Sequence, residues 1–380
     1  MQNRKVYFPN LNGIRFIAAS LVILTHIEQI KAFKNVEDFR SLYPMETGLL
    51  GVTIFFVLSG FLITYLLLSE EQRFNTISIK NFYIRRILRI WPLYYFIVIL
   101  ALFILPHIKF FTWIGYEKEL VYTGFFLKAF LFLIFFPNLV HTLLGVVPYA
   151  SQTWSVGTEE QFYLFWPWVF KIVKRRRVLF MLFLILTYHL FSLLINSEFL
   201  NFVPYKHILR AFISTFNIDR MAIGGIFAII LFQKEKFLEF ILNEYIFYSS
   251  LAIVFILWLN SIYIPFVHFQ VYSVLFGLII VNFAANKKIK ISIENRILNY
   301  LGNISYGLYM YHPIAIILAI SIAAAFQSVS NWIIYPLSFL FSIAMAGISY
   351  KYFESYFLKF KERFSKVRSG NQIEKSKELI

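Results

Sequence analysis

The sequence predicts an all-α integral membrane protein: a bundle of about ten transmembrane helices with a short re-entrant segment, both termini cytoplasmic. Three observations carry this. Of 380 residues, 59% are hydrophobic and 15% charged, against about 25% charged in soluble domains. Ten apolar runs approach the roughly 20 residues that a helix needs to cross a bilayer. Basic clusters separate those runs in a pattern that assigns sides.

The runs lie near 12–30, 49–68, 88–105, 151–171, 178–196, 208–232, 244–260, 265–284, 300–323 and 331–350. A further run, 125–136, is too short to cross and suits a re-entrant or interfacial segment. Basic residues gather at Arg4 and Lys5; at Arg73, Lys80, Arg85, Arg86 and Arg89; at Lys174 to Arg177; at Lys234 and Lys236; at Lys287, Lys288, Lys290 and Arg296; and from Lys351 onward. With ten crossings all of them fall on one side, which the positive-inside rule makes cytoplasmic. If 125–136 also crossed, the uncharged loop 137–150 would be inside and Lys174 to Arg177 outside, against that rule. The net charge of +16 therefore reports orientation and contact with anionic headgroups, not nucleic acid.

Cysteine is absent, which excludes a disulfide framework, a thiolate nucleophile and a thiolate metal site. The 46 Phe, 24 Tyr and 7 Trp suit lipid-facing surfaces and interfacial belts. The first apolar run is of full length with no small-residue cleavage site after it, as expected of a retained helix and not of a cleavable signal.

That first run, LNGIRFIAASLVILTHIEQI, carries Arg15 and His26. Eleven residues at 3.6 per turn place them within roughly 20° of each other on one face and roughly 16 Å apart along the axis. An ionisable residue in hydrocarbon costs several kcal/mol and is by default a functional candidate. One face thus offers a guanidinium near the inner end for an anion and an imidazole near the outer end for proton chemistry. The structural alternative is a snorkelling arginine and an interfacial histidine.

In the second run Gly51, Ser59 and Gly60 permit close helix packing. Next, NFYIRRILRIWPLYY sets Arg86 and Arg89 three apart on one face, before Trp91 and Pro92. They serve either as positive-inside anchors or as a bidentate phosphate clamp at a cavity mouth. The segment SQTWSVGTEEQFYLFWPW opens the fourth span from the outer side. Its Glu159 and Glu160 are about 100° apart around the helix, and either they complement its dipole or one orients His26 from the same depth. Asp219 and Arg220 fall within the sixth span, paired across the bundle; Tyr306, Tyr309 and His312 point inward from the ninth, before Pro313. His312 is either hydrogen-bonded packing or part of the site. KYFESYFLKFKERF reads as a basic amphipathic helix along the inner leaflet, followed by an unstructured end. No ligand spacing points to a metal.

Six motifs in order, LNGIRFIAA, FFVLSGFLIT, YIRRILRIWPLYY, TWSVGTEEQFYLFWP, ISYGLYMYHP and YFESYF, span residues 9 to about 357. Together they resemble transmembrane acyltransferase family 3, whose bacterial members O-acetylate cell-surface and secreted glycans. Gly157 and Thr158 depart from the small or apolar residues that many relatives carry before the glutamates. The resemblance implies a membrane acyltransferase domain over 1–358 and a basic cytoplasmic tail over 359–380, without the extracellular hydrolase-like domain of some relatives. It implies transfer of an acyl group, usually acetyl, from cytosolic acyl-CoA to a hydroxyl of a glycan or lipid-linked sugar at the outer face of the bacterial cytoplasmic membrane. Arg86 and Arg89 would bind the CoA phosphates and Arg15 the pyrophosphate or a carbonyl. His26, oriented by Glu159 or Glu160, would be the general base or would carry the acyl group itself. Trp154, Ser155, Tyr309 and His312 would contact the substrate or the developing oxyanion. A transporter or flippase with an Arg15–His26–Asp219 relay is the competing class.

Overall fold

The computed structural model describes residues 6–365 except 34–35, 37–38, 40–43, 45, 113–116, 235 and 327–329. Among the described residues the chain is helical, without a β-strand element. Ten helices run to 16 residues or more. They are α1 (Leu11–Phe33), α2 (Thr47–Phe74), α3 (Ile79–Ile99), α4 (Thr153–Ile172), α5 (Arg177–Asn196), α6 (Ile218–Gln233), α7 (Glu244–Leu259), α8 (His268–Ala285), α9 (Ser305–Ala325) and α10 (Asn331–Ser349). Eight helical segments are both long and apolar enough to cross a membrane. Outside that set are α4, 20 residues long but interrupted by Glu159, Glu160 and Lys171, and α7, apolar but of only 16 residues.

Helix α2 is the hub, packing on α1, α6 and α8, while α9 pairs with α10 and with α1. Two close approaches make this possible. A Cβ on Gly224 would lie 2.0 Å from the Val57 carbonyl oxygen, and one on Gly60 would lie 1.9 Å from that of Met221. Backbones in contact maximise dispersion between helices that gain little from the hydrophobic effect in lipid. Leu164, Ile172, Phe183 and Leu186 are exposed on α4 and α5, an apolar periphery suited to acyl chains.

Several elements differ from the sequence expectation, each for a local reason. The sixth span breaks at Asn217, whose left-handed backbone (φ 43°) follows a separate helix, Lys206–Phe216. The Asn217 side chain donates to the Thr215 carbonyl (2.8 Å), and its N–H donates to the Tyr188 hydroxyl (3.2 Å), so the break is satisfied by hydrogen bonds. The ninth span is preceded by a separate helix, Arg296–Asn303, packed on α1. The run 125–136 forms a nine-residue helix, Phe125–Leu133, and then a buried turn through Phe135 (φ 61°). Gln161 donates to the Phe135 carbonyl (2.8 Å) and to Asn138 Oδ1 (3.0 Å), tying that turn to α4. Helix α10 continues through a π-helical turn, Tyr350–Glu354, into Ser355–Arg363, which packs along α3. Arg4, Lys5 and the expected unstructured end from 366 lie outside the described residues.

The two ends of α2 are each fastened by ion pairs. Glu70 and Glu71, in the last turns of α2, bridge to Arg85 (3.0 Å) on α3 and Arg177 (2.7 Å) on α5. At the other end Glu46 bridges His268 (2.6 Å).

The α2–α6 crossing leaves no room for a branched side chain. Gly224→Val is expected to lower the thermal unfolding midpoint of the solubilised protein, with a loss of about 1–3 kcal/mol from overpacking. An unchanged midpoint would contradict the contact.

Candidate active site

Helix α1 is unbroken between Arg15 and His26, so both side chains leave the same face and enter the bundle at two levels. At one level His26 Nδ1 lies 2.8 Å from His312 Nε2, with the two rings stacked at 4.7 Å. His312 Nδ1 lies 2.7 Å from the Tyr309 carbonyl oxygen. A carbonyl only accepts, so His312 Nδ1 carries a proton. With His312 neutral, its Nε2 is then a lone pair, His26 Nδ1–H is the donor to it, and His26 Nε2 is left with a free lone pair. The pair can act as a base with its tautomer set by a backbone carbonyl, the Tyr309 carbonyl that Pro313, lacking an N–H, leaves without its helical donor.

Beside this pair the Ser155 and Tyr309 hydroxyls are 2.5 Å apart, and Tyr309 donates to the Gln152 carbonyl (2.9 Å). Gln152 Nε2 in turn donates to the carbonyls of Tyr149 (2.9 Å) and Met310 (2.8 Å), which locks the start of α4 against α9. Trp154 meets Phe56 edge-on at 6.2 Å.

The level of Arg15 is a cluster of charge. Arg15 donates to Asn12 Oδ1 (3.1 Å) and has Arg89, Arg86, Tyr163 and Glu159 as electrostatic neighbours. Arg86 lies over the rings of Phe82 (5.9 Å) and Tyr163 (5.7 Å), and its buried Nε has no hydrogen-bond partner among the described residues. Glu159 accepts from the Tyr163 hydroxyl (2.9 Å), which also bonds Ser59, and Glu160 accepts from Trp91 Nε1 (2.8 Å).

The structure therefore departs from the expectation that a glutamate orients His26. Glu159 and Glu160 lie six and seven residues into α4, roughly 9–10 Å from its start. The level of His26 is met instead by Gln152 and Ser155 through Tyr309 and His312. The glutamates belong with Arg15 and Arg86, and the partner of His26 is His312. Sequence reasoning placed His312 inward but had no signal for that pairing, because 286 residues separate the two histidines. The Tyr163 partnership was readable, since Tyr163 is one turn beyond Glu159 on the same helix face.

Asp219 and Arg220 do pair across the bundle. Gln270 donates to Asp219 Oδ2 (2.7 Å), and Arg220 donates to Thr53 Oγ1 (2.8 Å) while lying 4.2 Å over Phe269. Sequence reasoning missed a further buried group, one turn beyond His26 on α1. Glu28 and Lys31 are both 0% exposed and bridge at 2.7 Å. Tyr335 also donates to Glu28, and Lys31 donates to Asn331 Oδ1 (2.5 Å), fastening α1 to α10. Among the described residues no group of three or more His, Asp or Glu side chains could hold a metal ion.

With this geometry in view, a family model described as an acyltransferase domain matches residues 8–351. The chain belongs to acyltransferase family 3. It is 31% identical over 166 residues to peptidoglycan O-acetyltransferase OatA of Listeria monocytogenes, covering 42% of this chain and 24% of that protein. It is 29% identical over 169 residues to the putative peptidoglycan O-acetyltransferase YrhL of Bacillus subtilis (42% of this chain, 23% of that protein). It is 29% identical over 170 residues to O-acetyltransferase OatA of Staphylococcus aureus (45% and 26%). The matched stretch thus spans about a quarter of the length of these relatives. No solved structure matches the chain. All four site motifs, around Arg15 and His26, Arg86 and Arg89, Glu159 and Glu160, and His312, lie inside the family match.

The Glu28–Lys31 pair yields a stability test. Lys31→Met alone strands a buried carboxylate and is expected to cost about 3–5 kcal/mol, whereas Glu28→Gln with Lys31→Met recovers most of it. The measurement is a double-mutant cycle on unfolding of the solubilised protein; additive losses would mean that the two charges do not interact.

Proposed function

We propose that this chain is a membrane O-acyltransferase. It moves an acyl group, acetyl in the first instance, from cytosolic acyl-CoA to a hydroxyl of a surface glycan or lipid-linked sugar at the outer face of a bacterial cytoplasmic membrane. The observation that carries the reading is the pairing on α1: a base with a free lone pair at one level, and a cationic cluster at the other. Family membership and the names of the relatives support acyl transfer to a glycan. The spacing of the basic clusters along the sequence supports ten crossings, α4 and α7 included, with both termini cytoplasmic and the 125–136 segment re-entrant.

In this mechanism Arg86 and Arg89 hold donor phosphates from the cytosolic side, since arginine forks match phosphate oxygens bidentately. Arg15 guides the arm of the donor inward. Glu159 and Glu160 balance these cations and keep the cluster compatible with burial. At the outer level His26 Nε2 takes the proton of the acceptor hydroxyl as that oxygen attacks the thioester carbonyl. The carbon–sulfur bond then breaks, and the departing thiolate recovers the proton from His26. His312 holds the reactive tautomer throughout and shares the positive charge when His26 is protonated. Such base assistance is worth about 10²–10⁴ in rate. Ser155 and Tyr309, beside the histidines, contact the acceptor or the developing oxyanion, and Trp154 borders them.

His26→Ala is expected to abolish O-acetylation of the surface glycan, read by mass spectrometry, while the protein still accumulates in the membrane; wild-type acetylation would refute the assignment. His312→Ala should lower kcat by about 10² or more with donor KM unchanged. His312→Gln, whose carbonyl can still accept from His26 Nδ1–H, should retain most activity. Equal loss in both variants would leave His312 a packing residue. Arg86→Ala with Arg89→Ala should raise the KM for acyl-CoA. If only the amount of inserted protein falls, the arginines are topological anchors.

A further inference from the structure

The segment that follows α10 brings a further cation to the inner cluster. It is held against α3 at both ends. Glu354, buried at its start, accepts from Ser349 (3.2 Å) and has Arg89 as an electrostatic neighbour. Arg85 Nη1 donates to the Phe364 carbonyl at its far end (3.0 Å). Lys361 lies seven residues beyond Glu354, two turns along on nearly the same helical face. It lines one pocket with Glu70, Phe82, Arg85, Arg86 and Ser365. Besides Glu362, its immediate sequence neighbour, its electrostatic neighbours are Arg89, Arg86 and Arg15.

That arrangement is unfavourable by itself. A lysine on an exposed amphipathic helix gains most by pointing to water or to headgroups. Here the fold turns it toward three arginines, where like charges repel in a poorly screened space. Glu70, the carboxylate in the pocket, is already bridged to Arg85. Arg86 meanwhile keeps a buried Nε with no partner among the described residues. Three cations, Arg85, Arg86 and Lys361, line one pocket, Arg86 with an unused donor and Arg89 and Arg15 as further charged neighbours, and this set matches a polyanion.

We infer that Lys361 is a binding residue for the phosphate groups of the donor, and that Ser355–Arg363 is the wall that closes the phosphate site opposite Arg86. The inference rests on the reading of the donor as a phosphate-bearing thioester, and it adds a residue from a segment outside the residues of the family match. The same phosphate chemistry also occurs in an anionic lipid headgroup, so the test separates the two sources.

The full chain, reconstituted in nanodiscs of phosphatidylcholine alone or with phosphatidylglycerol, is titrated with adenosine 3′,5′-bisphosphate and with CoA by calorimetry. Losing one charge-assisted contact should weaken binding about tenfold or more in Lys361→Ala. Lys361→Arg should stay close to wild type, and both effects should persist in the zwitterionic nanodiscs. The thermal midpoint of each ligand-free variant should match wild type, which separates lost binding from lost folding. Wild-type affinity in Lys361→Ala would overturn the role of Lys361 while leaving the donor reading intact. So would a loss confined to co-purifying phosphatidylglycerol, which would make the lysine a lipid contact. No binding of either nucleotide by the wild-type chain would sink both this inference and the acyl-CoA reading.

Discussion

Charge placed inside an apolar bundle must be answered from within the bundle, and most of this structure follows from that constraint. Leaving a carboxylate or guanidinium unpaired away from water costs about 3–5 kcal/mol, a large share of the net stability of most domains. Lys31 is therefore met by Glu28 and Asn331, Arg220 by Thr53 and Phe269, Asp219 by Gln270, and each site glutamate by a ring donor. Among the described residues the answer is incomplete at Arg86 Nε and Glu160 Oε1 in the arginine cluster, and also at Asp219 Oδ1 and Arg220 Nε.

The same constraint explains why the site has two levels. A phosphate-binding cluster needs several cations, and an alcohol-activating base needs a neutral imidazole. An imidazole among three arginines would be held unprotonated too strongly to accept a proton. An arginine beside the histidine pair would have no counter-charge. Separating them along one helix lets each keep its own surroundings, while the rigid α1 fixes the distance between them. In the proposed mechanism His312 takes the place of the carboxylate that usually steadies a catalytic histidine, without adding a buried negative charge.

Backbone contact supplies the rest. Gly60 and Gly224 let α2 and α6 touch, so Thr53 on α2 comes within reach of Arg220 on α6. The buried turn at 135–138 fits against Gly157, where a Cβ would lie 2.5 Å from the Pro137 ring. Gly157 is thus a packing position for that turn.

Local chemistry was legible in the chain by itself. Hydropathy marked the helices, because a span must be apolar over its whole length. The period of 3.6 put Arg15 and His26 on one face and Tyr163 below Glu159, because an unbroken helix makes angular position a function of number alone. What the sequence left open were the contacts between helices. The histidine pair, the removal of Glu159 and Glu160 from His26, the Glu28–Lys31 clasp and the return of Lys361 to the arginines each join residues from helices whose relative height and rotation are set by packing. No local periodicity encodes that, so only the tertiary structure decided it.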